Sequence, residues 1–139
     1  MKQFQATTQI NATPEKVWAV LMDTARYPEW DPHCDKIEGR PALGAKIKAY
    51  TKLSPGRAFA VKVTVLTPNA LMVWSGGLPL GLFKGERTFR LVQEAGGVQL
   101  TVSEVFSGLL LPLFARSLPD MTKSFQDFVD GLKAVAERA

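Results

Sequence analysis

The chain has 139 residues, 46% of them hydrophobic and 22% charged, with a formal net charge of +4; this is an ordinary balance for one domain, residues 1–139, built on a single core. No apolar run approaches the ~18 residues of a membrane span, and residues 1–5 carry no apolar secretion core, so neither an integral membrane segment nor export is expected. The lysines and arginines are scattered and not interleaved with aromatics, which argues against nucleic acid as a partner and leaves only a mild preference for anions.

Residues 3–10 alternate, with Phe4, Ala6, Thr8 and Ile10 on one face and Gln3, Gln5, Thr7 and Gln9 on the other, the pattern of a half-buried strand. Thr13, Pro14 and Glu15 then read as the cap, first position and first-turn acid of a short helix whose apolar face is Val17, Trp18, Val20 and Leu21. Pro28 and Pro32 bracket Trp30, which predicts a rigid turn or one helical turn, followed by a short strand over residues 33–38. Ile47, Ala49 and Thr51 alternate with lysines in the next strand. After a turn signal at Ser54, Pro55 and Gly56 comes the apolar set Phe59, Val61, Val63 and Val65. Residues 67–69 turn the chain, residues 71–75 are strand, and residues 76–81 read as a flexible, unusually apolar loop.

The next hairpin is the most readable part. With Ala95 and Gly96 as a two-residue loop, Glu94 pairs with Gly97 and every pair of residue numbers sums to 191. Leu91 then faces Leu100, Phe89 faces Val102 and Arg87 faces Glu104, all on the inward face. Beyond it an apolar series at spacings of four and three, Phe114, Leu118, Met121, Phe125, Phe128, Leu132 and Val135, marks one face of a C-terminal helix. Pro119 lies inside that series, so the helix is expected in two pieces. A mostly β chain buries such a stripe against the concave face of its own sheet. A hollow between the two is expected, although for any single residue of the stripe plain core is the first reading.

Arg87 and Glu104 are the residues best suited to chemistry. Inward and paired, they either orient a ligand's carbonyl or carboxylate, polarise a carbonyl and move a proton, or simply satisfy each other. His33 and Cys34 are the single histidine and the single cysteine. As strand neighbours they point to opposite faces, which speaks against a nucleophilic pair. One cysteine also allows no intrachain disulfide, consistent with a cytoplasmic setting. No ligand spacing suggests a metal, no glycine pattern a phosphate loop, and no cofactor is expected.

The order strand, short helices, six strands, long helix resembles the helix-grip fold of the START-like (SRPBCC) superfamily, in particular the polyketide cyclase/dehydrase-like proteins. The residues that carry the likeness are 12–18, residues 27–32, Gly85 to Phe89, and residues 104–110. The resemblance implies an α+β fold, with a curved antiparallel sheet of about seven strands wrapped around a long C-terminal helix and two short helices after the first strand. It also implies a cavity that binds or transports a small hydrophobic molecule. The expected lining is Trp30, Phe59, Val61, Trp74, Arg87, Phe89, Val102, Glu104, Phe114, Leu118, Met121 and Phe125, with residues 27–32 and 76–81 at the entrance. Position 87 is Arg where related sequences often carry His, so no histidine-based proton transfer is brought over. A cyclase or dehydratase using Arg87 and Glu104, and a module docking proteins through its apolar loop, are the alternatives.

Overall fold

The computed structural model describes residues 2–52, 56, 58–78, 80–114 and 120–138. Leu118, the break at Pro119, the Ser54–Pro55 part of the expected turn, Pro79 and the Phe114 side chain lie outside the described residues. Among the described residues seven strands form one antiparallel sheet in the order β1-β7-β6-β5-β4-β3-β2. They are β1 (Lys2–Ile10), β2 (Cys34–Glu38), β3 (Lys46–Thr51), β4 (Ala58–Thr67), β5 (Leu71–Leu78), β6 (Phe83–Glu94) and β7 (Gly97–Ser107). Helix α1 (Pro14–Met22), a 3-10 turn (Thr24–Arg26) and α2 (Tyr27–Trp30) carry the chain from one sheet edge to the other. Helices α3 (Leu111–Phe114) and α4 (Thr122–Arg138) end it, with the two-piece arrangement expected of the proline-containing stripe.

The local signals act as their chemistry dictates. The Thr13 hydroxyl accepts a hydrogen bond from the Lys16 N–H at 3.3 Å, and Pro14 opens α1 where no amide donor is needed. Strand β1 buries Phe4, Ala6 and Ile10 and turns its glutamines outward. The β6–β7 register is the one expected, with Glu94 opposite Gly97, Leu91 opposite Leu100, Phe89 opposite Val102 and Arg87 opposite Glu104.

Two expectations need correction. Strand β5 does not stop at Ser75: Gly76, Gly77 and Leu78 pair with Gly85, Lys84 and Phe83, so the turn is confined to the residues before Phe83. A glycine pair reads as loop in a sequence, but here it marks close approach of backbone, since a Cβ on Gly76 would lie 2.7 Å from the carbonyl oxygen of Ala60. In β4 a bulge between Val63 and Val65 inverts the alternation, so Leu66 rather than Val65 packs on the core.

Helix α4 buries Phe125, Phe128, Val129, Leu132 and Ala136, with Met121 packed at the edge of the core and Val135 half-buried. It lies chiefly on β1, then on α1, β7 and α2, so the inner face of β4 near Phe59 is left open. Gly131, in mid-helix, would ordinarily weaken α4. It is needed because a Cβ there would run into the carbonyl oxygen of Trp30. Residues 27–32, expected as a rigid turn or helical turn at the entrance, are held firmly. Tyr27 is buried, donates its hydroxyl to the Leu21 carbonyl at 2.6 Å and meets Phe128 edge-on. The following turn is tied to α4, since the His33 ring bonds the Asp127 carboxylate at 2.7 Å; within α4, Lys123 bonds the same group at 3.0 Å. Those two partners hold Asp127 below the usual carboxylate range. Asp31 accepts the His33 N–H at 3.1 Å but is buried, and burial pushes its carboxyl above the ordinary 3.8.

Two outcomes follow from this packing. Gly131→Ala is expected to destabilise the fold by about 1–3 kcal/mol in urea denaturation, because helix propensity gained is less than the displacement of α2 costs. A raised acid pKa means the ionised form is disfavoured in the folded state. Asp31→Asn, which keeps the acceptor oxygen, is therefore expected to be more stable than the parent at pH 7. That advantage shrinks as pH falls through the raised folded value and is gone below the ordinary 3.8. Denaturation series between pH 7 and 3 check this, and a gap that widens on acidification contradicts it.

Candidate functional site

A single row of directly paired residues crosses the inner face of the sheet. Val63 on β4 lies beside Trp74 on β5, Trp74 beside Arg87 on β6, Arg87 beside Glu104 on β7, and Glu104 beside Phe4 on β1. All five share one face because antiparallel partners point the same way. The row is therefore apolar at both ends and polar in the middle.

The Arg87 Nε–H donates to Glu104 Oε1 at 2.8 Å. Their side chains are 30% and 13% exposed, so the pair sits at the rim of the core rather than in it or in bulk water. The face of the guanidinium lies 4.8 Å from the ring centroid of Phe125 on α4, a cation–π contact that fixes the side chain between sheet and helix. This pair is where the sheet's concave face and α4 come together around a charge.

Going deeper, the interior is aromatic. Trp74 is 3% exposed, stacks on Tyr27 at 6.4 Å and meets Phe89 edge-on at 4.9 Å. Trp30 lies against Tyr27 and Phe128, both at 4.9 Å, and Phe89 lies 5.9 Å from Phe128. Phe89 and Val102 are 0% and 1% exposed, so no water-sized space touches them in this conformation. Going the other way, toward the open end, the inner face carries Gly76 opposite Gly85. The Phe106 ring covers that glycine, 3.1 Å from where a Gly85 Cβ would stand, and Phe83 stacks on Phe106 at 5.9 Å. Phe59 is 41% exposed on β4, with Val61 half-buried beside it, and Met121 is half-buried at the start of α4.

The expected lining residues thus divide by position. Trp74, Phe89, Val102 and Phe125 are packed with the core, Arg87 and Glu104 hold its rim, Trp30 packs beneath α4, and Phe59, Val61 and Met121 border the open end. Phe106 and Phe83 were missed. Extending the sum of 191 by one more inward pair places Phe106 opposite Gly85, so the signal for Phe106 was present in the hairpin register. Two outer clefts, of about 340 Å³ beside Asn11 to Pro14 and about 370 Å³ beside Lys62, Thr64 and Ser75, contain none of the expected lining residues, although the second is bordered by Gly76, Gly77, Leu78 and Gly81 of the expected entrance and by Phe83. Among the described residues no group of three or more His, Cys, Asp or Glu side chains is placed to hold a metal ion, and no helix is long and apolar enough to cross a membrane. Cys34 is buried, and burial pushes its thiol up to about 11, the reverse of nucleophile activation.

The fold is found in other proteins. The chain is similar in structure to protein MLL2253 from Mesorhizobium loti, with a TM-score of 0.78, 22% identity and coverage of 99% of this chain and 98% of that one. A START superfamily protein from Mycobacterium smegmatis matches with a TM-score of 0.71, 17% identity and coverage of 98% and 97%. The Aha1 dimer from Colwellia psychrerythraea matches with a TM-score of 0.71, 21% identity and coverage of 99% and 97%. At these identities the likeness is one of fold, the START-like helix grip. No curated protein matches the sequence. The family model described as polyketide cyclase/dehydrase and lipid transport matches residues 1–137, and the chain belongs to that family.

Proposed function

We propose that the protein binds, and in its setting carries, a small hydrophobic molecule between the concave face of the sheet and α4. The observation that carries this reading is the Arg87–Glu104 pair, held on an otherwise apolar wall with its guanidinium laid on Phe125. An apolar pocket with a few converging polar groups is the usual form of a small-molecule site. Here the apolar body would lie along Phe59, Val61, Met121 and Phe125, with Trp30, Trp74, Phe89 and Val102 as the packed floor that yields to it. Arg87 and Glu104 orient one polar group of the ligand. The proposal includes a cytoplasmic setting, which the single, buried thiol of Cys34 supports.

The family's description and the same pair favour a second reading, a cyclase or dehydratase. The Arg87 cation would polarise a substrate carbonyl and the Glu104 carboxylate, 2.8 Å from Arg87 Nε, would take or return a proton.

Native mass spectrometry of freshly purified protein is expected to show a small apolar molecule, released on denaturation. The protein is also expected to take up the uncharged dye N-phenyl-1-naphthylamine saturably, one per chain. Displacement of that dye by 2-decanone and by decane should differ about tenfold, as one net hydrogen bond implies, and by less than threefold in Arg87→Met, which keeps the apolar stem. Uptake that never saturates removes the carrier reading. The enzymatic reading has a separate sign: Glu104→Gln abolishes turnover of a carbonyl substrate while its affinity is retained.

A further inference from the structure

Among the described residues, Trp74 Nε1 is the lone buried side-chain nitrogen or oxygen without a hydrogen-bond partner. The ring itself is well placed, stacked on Tyr27 and edge-on to Phe89. Only its N–H is unmet, and an unmet buried donor is destabilising. The indole nitrogen is a donor and nothing else, so what is missing is an acceptor.

Its place in the row says what kind of acceptor. Trp74 stands directly beside Arg87, whose guanidinium is also donor-only. Glu104 stands on the far side of Arg87 and gives Oε1 to Arg87 Nε. Two donor-bearing residues are therefore neighbours across the sheet, and the row's acceptor residue lies at the Glu104 end, away from Trp74. The charges of Arg87 and Glu104 already cancel. A carboxylate brought to Trp74 would add an unbalanced charge beside Tyr27, Phe89 and Phe125, which is costly in such surroundings. A neutral carbonyl oxygen supplies the acceptor without that cost.

We infer that Trp74 Nε1 is a ligand-recognition donor that, beside Arg87, selects hydrophobic molecules bearing an uncharged carbonyl: a ketone, ester or amide on an apolar body. This rests on the carrier reading above and adds the class of ligand and the residue that selects it. Trp74 is closed over, whereas Arg87 next to it is three-tenths exposed. The carbonyl enters over Arg87 and completes the N–H of Trp74.

The test uses three matched probes: 2-acetonaphthone, 2-ethylnaphthalene, which has the same shape without the oxygen, and 2-naphthoate, which carries a charge. In 1H–15N spectra the three tryptophans give three indole signals, and Trp74→Phe identifies the one from Trp74. The ketone is expected to move that signal downfield and to bind about tenfold more tightly than the hydrocarbon. In Trp74→Phe, which keeps an aromatic ring and leaves Arg87 in place, the ketone's advantage should fall below about threefold. Should Trp74→Phe not fold, the effect of ketone against hydrocarbon on the three wild-type indole signals decides the matter. Equal affinities with no indole moved by the ketone alone overturn the role of Trp74 and leave the carrier reading standing. Preference for the naphthoate overturns the choice of an uncharged group. If no probe, and no dye, binds saturably to the wild type, the carrier reading falls and this inference falls with it.

Discussion

The pairing of Glu94 with Gly97 sets the parity of the two longest strands, and almost everything at the site depends on it. With a period of two, a slip of one residue in β6 would turn Phe89 and Leu91 to solvent and bring Arg90 and Val92 inside. The aligned register keeps the apolar residues of both strands on one face and carries Arg87 and Glu104 inward with them. A charge pair on that face is the consequence of parity, and it persists because each partner satisfies the other at a rim where neither is fully dehydrated.

The same face must be covered, and α4 covers only part of it. It rests on β1 and β7, while α1 and α2 fill in beneath it. Gly131 permits the close approach to Trp30, and the tie from His33 to Asp127 secures the turn after α2 to the helix. Among the described residues no helix packs extensively on the side of the sheet around β3 and β4. The molecule therefore has a tightly packed aromatic end and a looser apolar end, with the Arg87–Glu104 pair on the boundary. A ligand that binds at such a boundary displaces few aromatic contacts and finds its polar partners at once. A ligand buried wholly among Trp74, Phe89 and Phe128 would have to separate rings now 4.9 to 5.9 Å apart.

The open end is also apolar on its outside. Leu80, 91% exposed, with Leu109 and Leu113, projects from the turn before β6 and from the segment after β7. These two stretches are joined by backbone bonds from Leu109 to Gly81 and from Leu110 to Leu82. This end is therefore braced by main chain, an arrangement in which side chains can rearrange while the strands stay paired.

Local chemistry alone determined a great deal of this molecule. The Thr13 cap and Pro14, the alternation of β1, the two-residue turn at Ala95 and Gly96 and the C-terminal stripe each depend on neighbours a few residues away, so they are legible without tertiary contacts. Hence the helix-grip arrangement and the Arg87–Glu104 pairing could be read from the chain. Three features could not. The Gly76–Gly77 pair reads as a loop because glycine's local preference is permissive, and only the nearby Ala60 carbonyl shows that it is sheet. The bulge that turns Leu66 inward in place of Val65 is set by how β4 bends against β5. The division of the lining residues between packed core and open end depends on where α4 comes to rest, and with it the unmet N–H of Trp74. A helical stripe specifies which face of a helix is buried, but the position of that face over a sheet is decided by side-chain volumes and backbone approaches summed over the whole interface, which no spacing within the chain encodes.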